Sequence, residues 1–122
     1  MLINLSNHPS DRWSEEQKRA AQVYGEIVDL DFPEIDPDAS LNEVEGAVER
    51  YVARCMTLLE KSQQKENAVH IMGEMTFVYQ FVKRMSARGV TCLAATTERL
   101  VEERKPGEKY ARFRFVQFRP YE

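Results

Sequence analysis

Two spacings of apolar residues take turns along the 122-residue chain. Short apolar runs of strand length lie at Leu2–Ser6, Glu26–Phe32, Ala68–Met72 and Val90–Thr96. Between them, apolar residues recur at the three- and four-residue intervals of a helix face. The first helical stretch carries Ala20, Ala21, Val23 and Tyr24, starts at the capping pair Ser14/Gln17, and stops at Gly25. The second, Leu41–Gln64, is opened by the pair Ser40/Glu43. It repeats Val44, Val48, Val52, Cys55 and Leu59 on one side, and polar Ser62–Glu66 closes it. The third, about Thr76–Ala87, sets Phe77, Phe81 and Met85 on one stripe with Val78 and Val82 beside it, and Gly89 ends it.

After Arg99 the pattern changes to two extended segments, Leu100–Arg104 and Lys109–Phe118, around the turn Pro106-Gly107. The second alternates Arg112-Phe113-Arg114-Phe115, and the alternation breaks at Val116, where a bulge or a strand buried on both faces is expected. The order βαβαβαβ plus a hairpin predicts one α/β domain over residues 1–122. Its sheet is Rossmann-like and mostly parallel, of order 2-1-3-4, with helices on both faces and the hairpin at one edge. Ligands of such sheets sit beyond the carboxyl ends of the strands, where the strand order reverses. The expected rim is therefore three loops: Asn7–Trp13, Gly73–Thr76 and Thr96–Arg99.

Net charge is −3 and unevenly spread. Residues 1–98 carry 10 Lys/Arg against 16 Asp/Glu, whereas residues 99–122 carry 7 against 4. The acidic balance argues against duplex-DNA binding, which needs a broad basic footprint. The basic tail suits either a small anionic ligand or the solvated face of an edge strand. Cys55 and Cys92 fall in apolar periodic segments and are expected to be buried in a reducing compartment. No metal site and no cofactor is expected, since Cys/His clusters and Gly-rich phosphate motifs are missing. The start MLINLS is unlike a signal peptide, and no apolar run spans a bilayer, so a cytoplasmic protein without membrane contact is expected.

Each rim segment carries chemistry beside a plainer alternative. In the first, Asn7, His8 and Ser10 offer donors and acceptors and Pro9 stiffens them; they equally suit a turn into the first helix. In the second, Gly73 lets backbone approach a ligand, the helix N-terminus favours anions and Thr76 adds a hydroxyl. Glu74 opposes an anion there; it suits a base, a partner for a ribose hydroxyl, or a simple helix cap. In the third, Thr96, Thr97, Glu98 and Arg99 leave strand four together, with Arg99 as the candidate phosphate clamp. His70, inside strand three, reads as a hydrogen-bonded core residue, and Trp13 as an anchor of the first loop or a base-stacking group.

Asn4-Leu5-Ser6-Asn7-His8-Pro9-Ser10, His70-Ile71-Met72-Gly73-Glu74-Met75-Thr76 and Thr96-Thr97-Glu98-Arg99, taken together, resemble small stand-alone CRISPR-associated proteins of type III systems, related to the CARF (CRISPR-associated Rossmann-fold) domains. The resemblance runs over nearly the whole chain. It implies a cyclic oligoadenylate ligand, most often the four-adenylate ring, held across a homodimer. Some relatives are ring nucleases, in which a ribose 2′-hydroxyl attacks the adjacent phosphate without metal and leaves a 2′,3′-cyclic phosphate. Asn7, His8, Ser10, Gly73, Met75, Thr76, Thr96 and Thr97 would then hold the ligand, Arg99 would stabilise charge, and His8 or Glu74 would take the proton. An acid stands where the family's phosphate loops often carry lysine, which fits equally a protein that sequesters the ring uncut. The alternatives are a flavodoxin-like nucleotide-binding enzyme and a non-catalytic interaction subunit.

Overall fold

A computed structural model describes residues 1–122. Its strands are β1 (Leu2–Ser6), β2 (Ile27–Asp31), β3 (Ala68–Ile71), β4 (Thr91–Lys105) and β5 (Glu108–Pro120). Its helices are α1 (Glu15–Ala21), α2 (Leu41–Lys61) and α3 (Met75–Ala87). The sheet has the order β2-β1-β3-β4-β5, parallel except for the antiparallel β4–β5 pair. This is the expected Rossmann-like arrangement with its edge hairpin, and the order reverses between β1 and β3.

All five residues of β1 and all four of β3 are buried, as central parallel strands covered on both faces must be. On one face Ile3, Leu5, Val69 and Ile71 meet Val48 and Cys55 of α2 and Phe77 and Phe81 of α3. The two phenylalanines are fully buried and their rings stack at 6.0 Å. Burial of each such side chain contributes roughly 1.5–3 kcal/mol. On the other face Leu2, Ala68 and Leu93 lie under Trp13 and Ala21, with Phe118 of β5 packed against them. Both cysteines are buried, as their periodicity predicts, and desolvation pushes each thiol up to about 12.

The caps at Ser14 and Ser40 form as expected, each hydroxyl accepting from the backbone N–H three residues on, at 3.2 Å. Helix α1 tightens into a 3-10 turn over Gln22–Tyr24 and stops at Gly25, whose φ of 78° only glycine adopts readily. Helix α2 ends at Lys61 rather than Gln64, where Ser62 N–H donates to the Leu59 carbonyl. No helix is long and apolar enough to cross a membrane.

The expected loop Thr96–Arg99 is not a loop. Strand β4 runs without a break to Lys105, and Thr97, Glu98 and Arg99 stand opposite Phe115, Arg114 and Phe113. The partner strand alone supplies the backbone hydrogen bonds, so the segment needs no second neighbour. Its polar composition reflects solvent on both sides of a ribbon, not a turn. Val116 is the bulge that the broken alternation marks: Thr96 pairs with Gln117 and Thr97 with Phe115, leaving Val116 without an opposite residue.

Candidate functional site

The first loop is held from below by a buried polar network. Asn4 Nδ2 donates to the His8 carbonyl and to Asp29 Oδ1, both at 2.8 Å, which turns its Oδ1 toward His70. That oxygen accepts from Ser6 Oγ at 2.7 Å and pairs with His70 Nδ1 at 2.8 Å. Since Oδ1 only accepts, His70 carries its hydrogen on Nδ1, and its buried Nε2 is an acceptor without a protein partner. Burial, aided by the His8 charge, pushes the His70 imidazole down to about 4. His70 is thus a neutral core residue between Trp13 and Phe118, whose rings lie 5.5 Å from it on either pair.

The same network consumes much of the loop's expected chemistry. Ser10 Oγ donates to Asp29 Oδ2 at 2.9 Å, and Ser10 N–H points at the same carboxylate. The His8 carbonyl also accepts from Trp13 Nε1 at 3.2 Å, so Trp13 anchors the loop. The side chains of Asn7 and His8 remain exposed.

At the second segment the helix-cap alternative holds. Glu74 is the N-cap of α3, which begins at Met75 and not at Thr76. Its carboxylate accepts from Thr76 N–H at 3.0 Å and Phe77 N–H at 2.8 Å, and from the Thr76 hydroxyl at 2.6 Å. The Thr76 hydroxyl, followed by the two backbone bonds, holds this carboxyl below the usual range, which makes it a poor proton acceptor. The anion site of the helix N-terminus is therefore filled from within. Gly73 is also explained by packing: a Cβ there would lie 2.3 Å from the Phe32 ring, which fills the space expected for ligand. Met75 is 83% exposed and borders an apolar groove of about 520 Å³ with Met72, Tyr79 and Tyr121.

Of the third segment, Thr96 Oγ1 bonds the Gln117 backbone across the bulge at 3.2 Å. Arg99 stands mid-ribbon opposite Phe113. His8, Glu74 and Arg99, the expected catalytic set, thus do different things: one faces solvent, one caps a helix, one sits on the ribbon.

What the fold does gather is a polar cavity of about 710 Å³ between α1 and the hairpin. His8 and Thr97, both expected, line it with Arg12, Trp13, Gln17, Arg112, Phe113, Arg114 and Phe115. Glu16 is the only carboxylate on its lining. Arg112 and Arg114 alternate with the two phenylalanines along β5, so their guanidinium groups turn to the other face of the ribbon, where Glu102 holds Arg112 at 3.5 Å and Glu98 holds Arg114 at 3.0 Å. Phe113 is 68% exposed and offers a free ring face. Such a cavity has ligand-site size and combines the Arg12 guanidinium with aromatic surface, the chemistry of phosphate and base recognition.

The family model for the uncharacterized protein MJ1673 family matches residues 1–119. The chain belongs to this family. No curated protein and no solved structure matches it. Arg12, which lies within the expected first loop, and Phe113 and Phe115, which lie outside the expected rim, line this family protein's cavity without having been expected as site residues. The available signal was the Arg-Phe-Arg-Phe alternation, once it is set against α1 instead of being left as a solvated edge.

Proposed function

We propose that this protein binds a cyclic oligoadenylate, most specifically the four-adenylate ring, and limits signalling by holding it. The observation that carries the reading is the cavity beside α1, where His8, Arg12 and Thr97 meet the exposed ring of Phe113. The Arg12 guanidinium suits a phosphate of the ring, and Phe113 offers a surface on which an adenine stacks. The sequence resemblance narrows an anionic aromatic ligand to this one. A ring of four equal nucleotides has two-fold symmetry, so two copies of the cavity in a homodimer present matching halves.

Sequestration is favoured over metal-independent ring cleavage. Glu74 is committed to a helix cap with a depressed pKa. Arg99 does not line the cavity. Of the two expected proton acceptors, only His8 then lines the cavity, without a preorganised partner for the developing charge.

The experiment is titration with cyclic tetra-adenylate, followed by chromatography of the recovered ligand. Saturable binding, intact ligand after long incubation, and affinity lost on Arg12→Ala with Phe113→Ala are expected. Absence of binding would end the reading, and a 2′,3′-cyclic phosphate product would replace sequestration with cleavage.

A further inference from the structure

Beyond the β3 pairing, which ends at Leu93, β4 and β5 continue as a two-stranded ribbon. The nine residues Thr97–Lys105 extend it by roughly 30 Å at about 3.3 Å per residue. Because β4 runs parallel to β3, the ribbon projects past the carboxyl ends of the central strands.

Its two faces differ. One is internally satisfied: Glu98 holds Arg114, Glu102 holds Arg112 and Arg104, and the Arg104 guanidinium lies 4.5 Å over the Tyr110 ring. The other carries Arg99 and Val101 opposite Phe113 and Ala111. Val101 is 54% exposed, and Arg99 forms no ion pair. A lone two-stranded ribbon is marginal in water, so an apolar face of this kind gains stability when covered.

The opposite edge of the same sheet has the complementary charge. Residues 26–49, which hold β2 and the start of α2, contain nine Asp/Glu and no Lys/Arg. Asp31, Glu34, Asp36 and Asp38 are exposed and make no ion pair. Leu41, the first residue of α2 within this segment, is 55% exposed. Edge strand β2 also has one side without a strand neighbour.

We propose that the β4–β5 ribbon, through Arg99 and Val101, docks on the acidic β2–α2 segment of a second copy of this chain. The occupant is a second copy because the chain itself presents the cationic, apolar projection at one sheet edge and its acidic counterpart at the other. A two-fold axis lets each ribbon reach the other copy's acidic edge, so both contacts form at once and the assembly closes. The inference deepens the dimer of the proposed function and rests on it, yet its test needs no ligand.

The test is sedimentation of the full chain across protein concentration and salt, with Arg99→Glu/Val101→Glu as one variant and Asp36→Arg/Asp38→Arg as another. The wild type is expected to associate, less tightly as salt rises. Each variant alone weakens association by at least about tenfold, because like charges then face each other. An equimolar mixture of the two variants regains it. All four substituted positions are exposed, and far-UV circular dichroism checks that the variants fold. A monomeric wild type, association that ignores both variants, or a mixture that fails to recover would overturn the proposal. Ligand titration separates the two readings: association without binding of cyclic tetra-adenylate sinks the ligand and leaves this surface standing.

Discussion

Acidification is expected to destabilise this protein through one imidazole. His70 is 2% exposed, gives its Nδ1 hydrogen to Asn4, and has no partner for a second hydrogen on Nε2. Its pKa of about 4 in the fold lies below the 6.5 of an unfolded chain. The unfolded state therefore binds the proton more readily, and stability rises with pH across that window. The contribution is fully present above about 6.5 and is lost as pH falls toward about 4. Linkage gives a loss of about 2 kcal/mol on going from pH 7.5 to pH 5, and about 3 kcal/mol by pH 4.

The assay is urea unfolding at several pH values, followed by fluorescence of the buried Trp13, for the wild type and His70→Gln. Glutamine can still donate to Asn4 but does not titrate, so the difference between the two curves isolates His70 from the other acid-sensitive groups. Nuclear magnetic resonance of the wild type gives a second reading, since only two histidines are present. Parallel stability curves for the two proteins, or a His70 ring that titrates near 6.5, would refute the reasoning.

Three other outcomes follow from the site. Glu74→Ala removes the acceptor for two backbone N–H groups and a hydroxyl at the start of α3, and a loss of about 0.5–2 kcal/mol at neutral pH is expected in urea titration. This contribution shrinks as pH falls through the depressed Glu74 pKa, because the neutral acid caps poorly. Gly73→Ala drives a methyl into Phe32, which is fixed by Phe77 at 5.0 Å; overpacking of about 1–3 kcal/mol is expected, with thermal stability partly restored by a second change, Phe32→Leu. Asp29→Ala frees both Asn4 and Ser10, and faster amide hydrogen exchange confined to the loop after β1 is the expected signature.

The parallel core was legible because its signals are local. Strand-length apolar runs, helical repeats and two hydroxyl caps each specify an element without reference to the rest of the chain. Parallel strands with right-handed crossovers then leave few sheet orders. The hairpin was half legible: Val116 betrayed the bulge, but the polar run through Thr96–Arg99 mimics a loop. A ribbon wet on both faces has no apolar periodicity to reveal it. The site was the least legible part. Rim position alone could not say that Asp29, nineteen residues away, occupies Ser10. Nor could it say that Phe32 occupies the space above Gly73. Both are pairings of distant residues, fixed only when the chain closes. Glu74 and His70 were better served, since the plainer alternative for each was the one that the fold adopts.

The unpaired Val116 sets the reading frame of the hairpin. Strands repeat every two residues, so one extra residue exchanges the sides of everything that follows it. Phe118 lies against His70, and Phe115, 5.0 Å from it, continues on the same side only because Val116 is skipped. Counted without that skip, Arg114 and Arg112 would turn toward the core face, and the phenylalanines with Arg99's side of the ribbon would part company. Gain or loss of one residue here would thus recode the whole arm at a stroke, changing an aromatic face into a cationic one with no substitution anywhere.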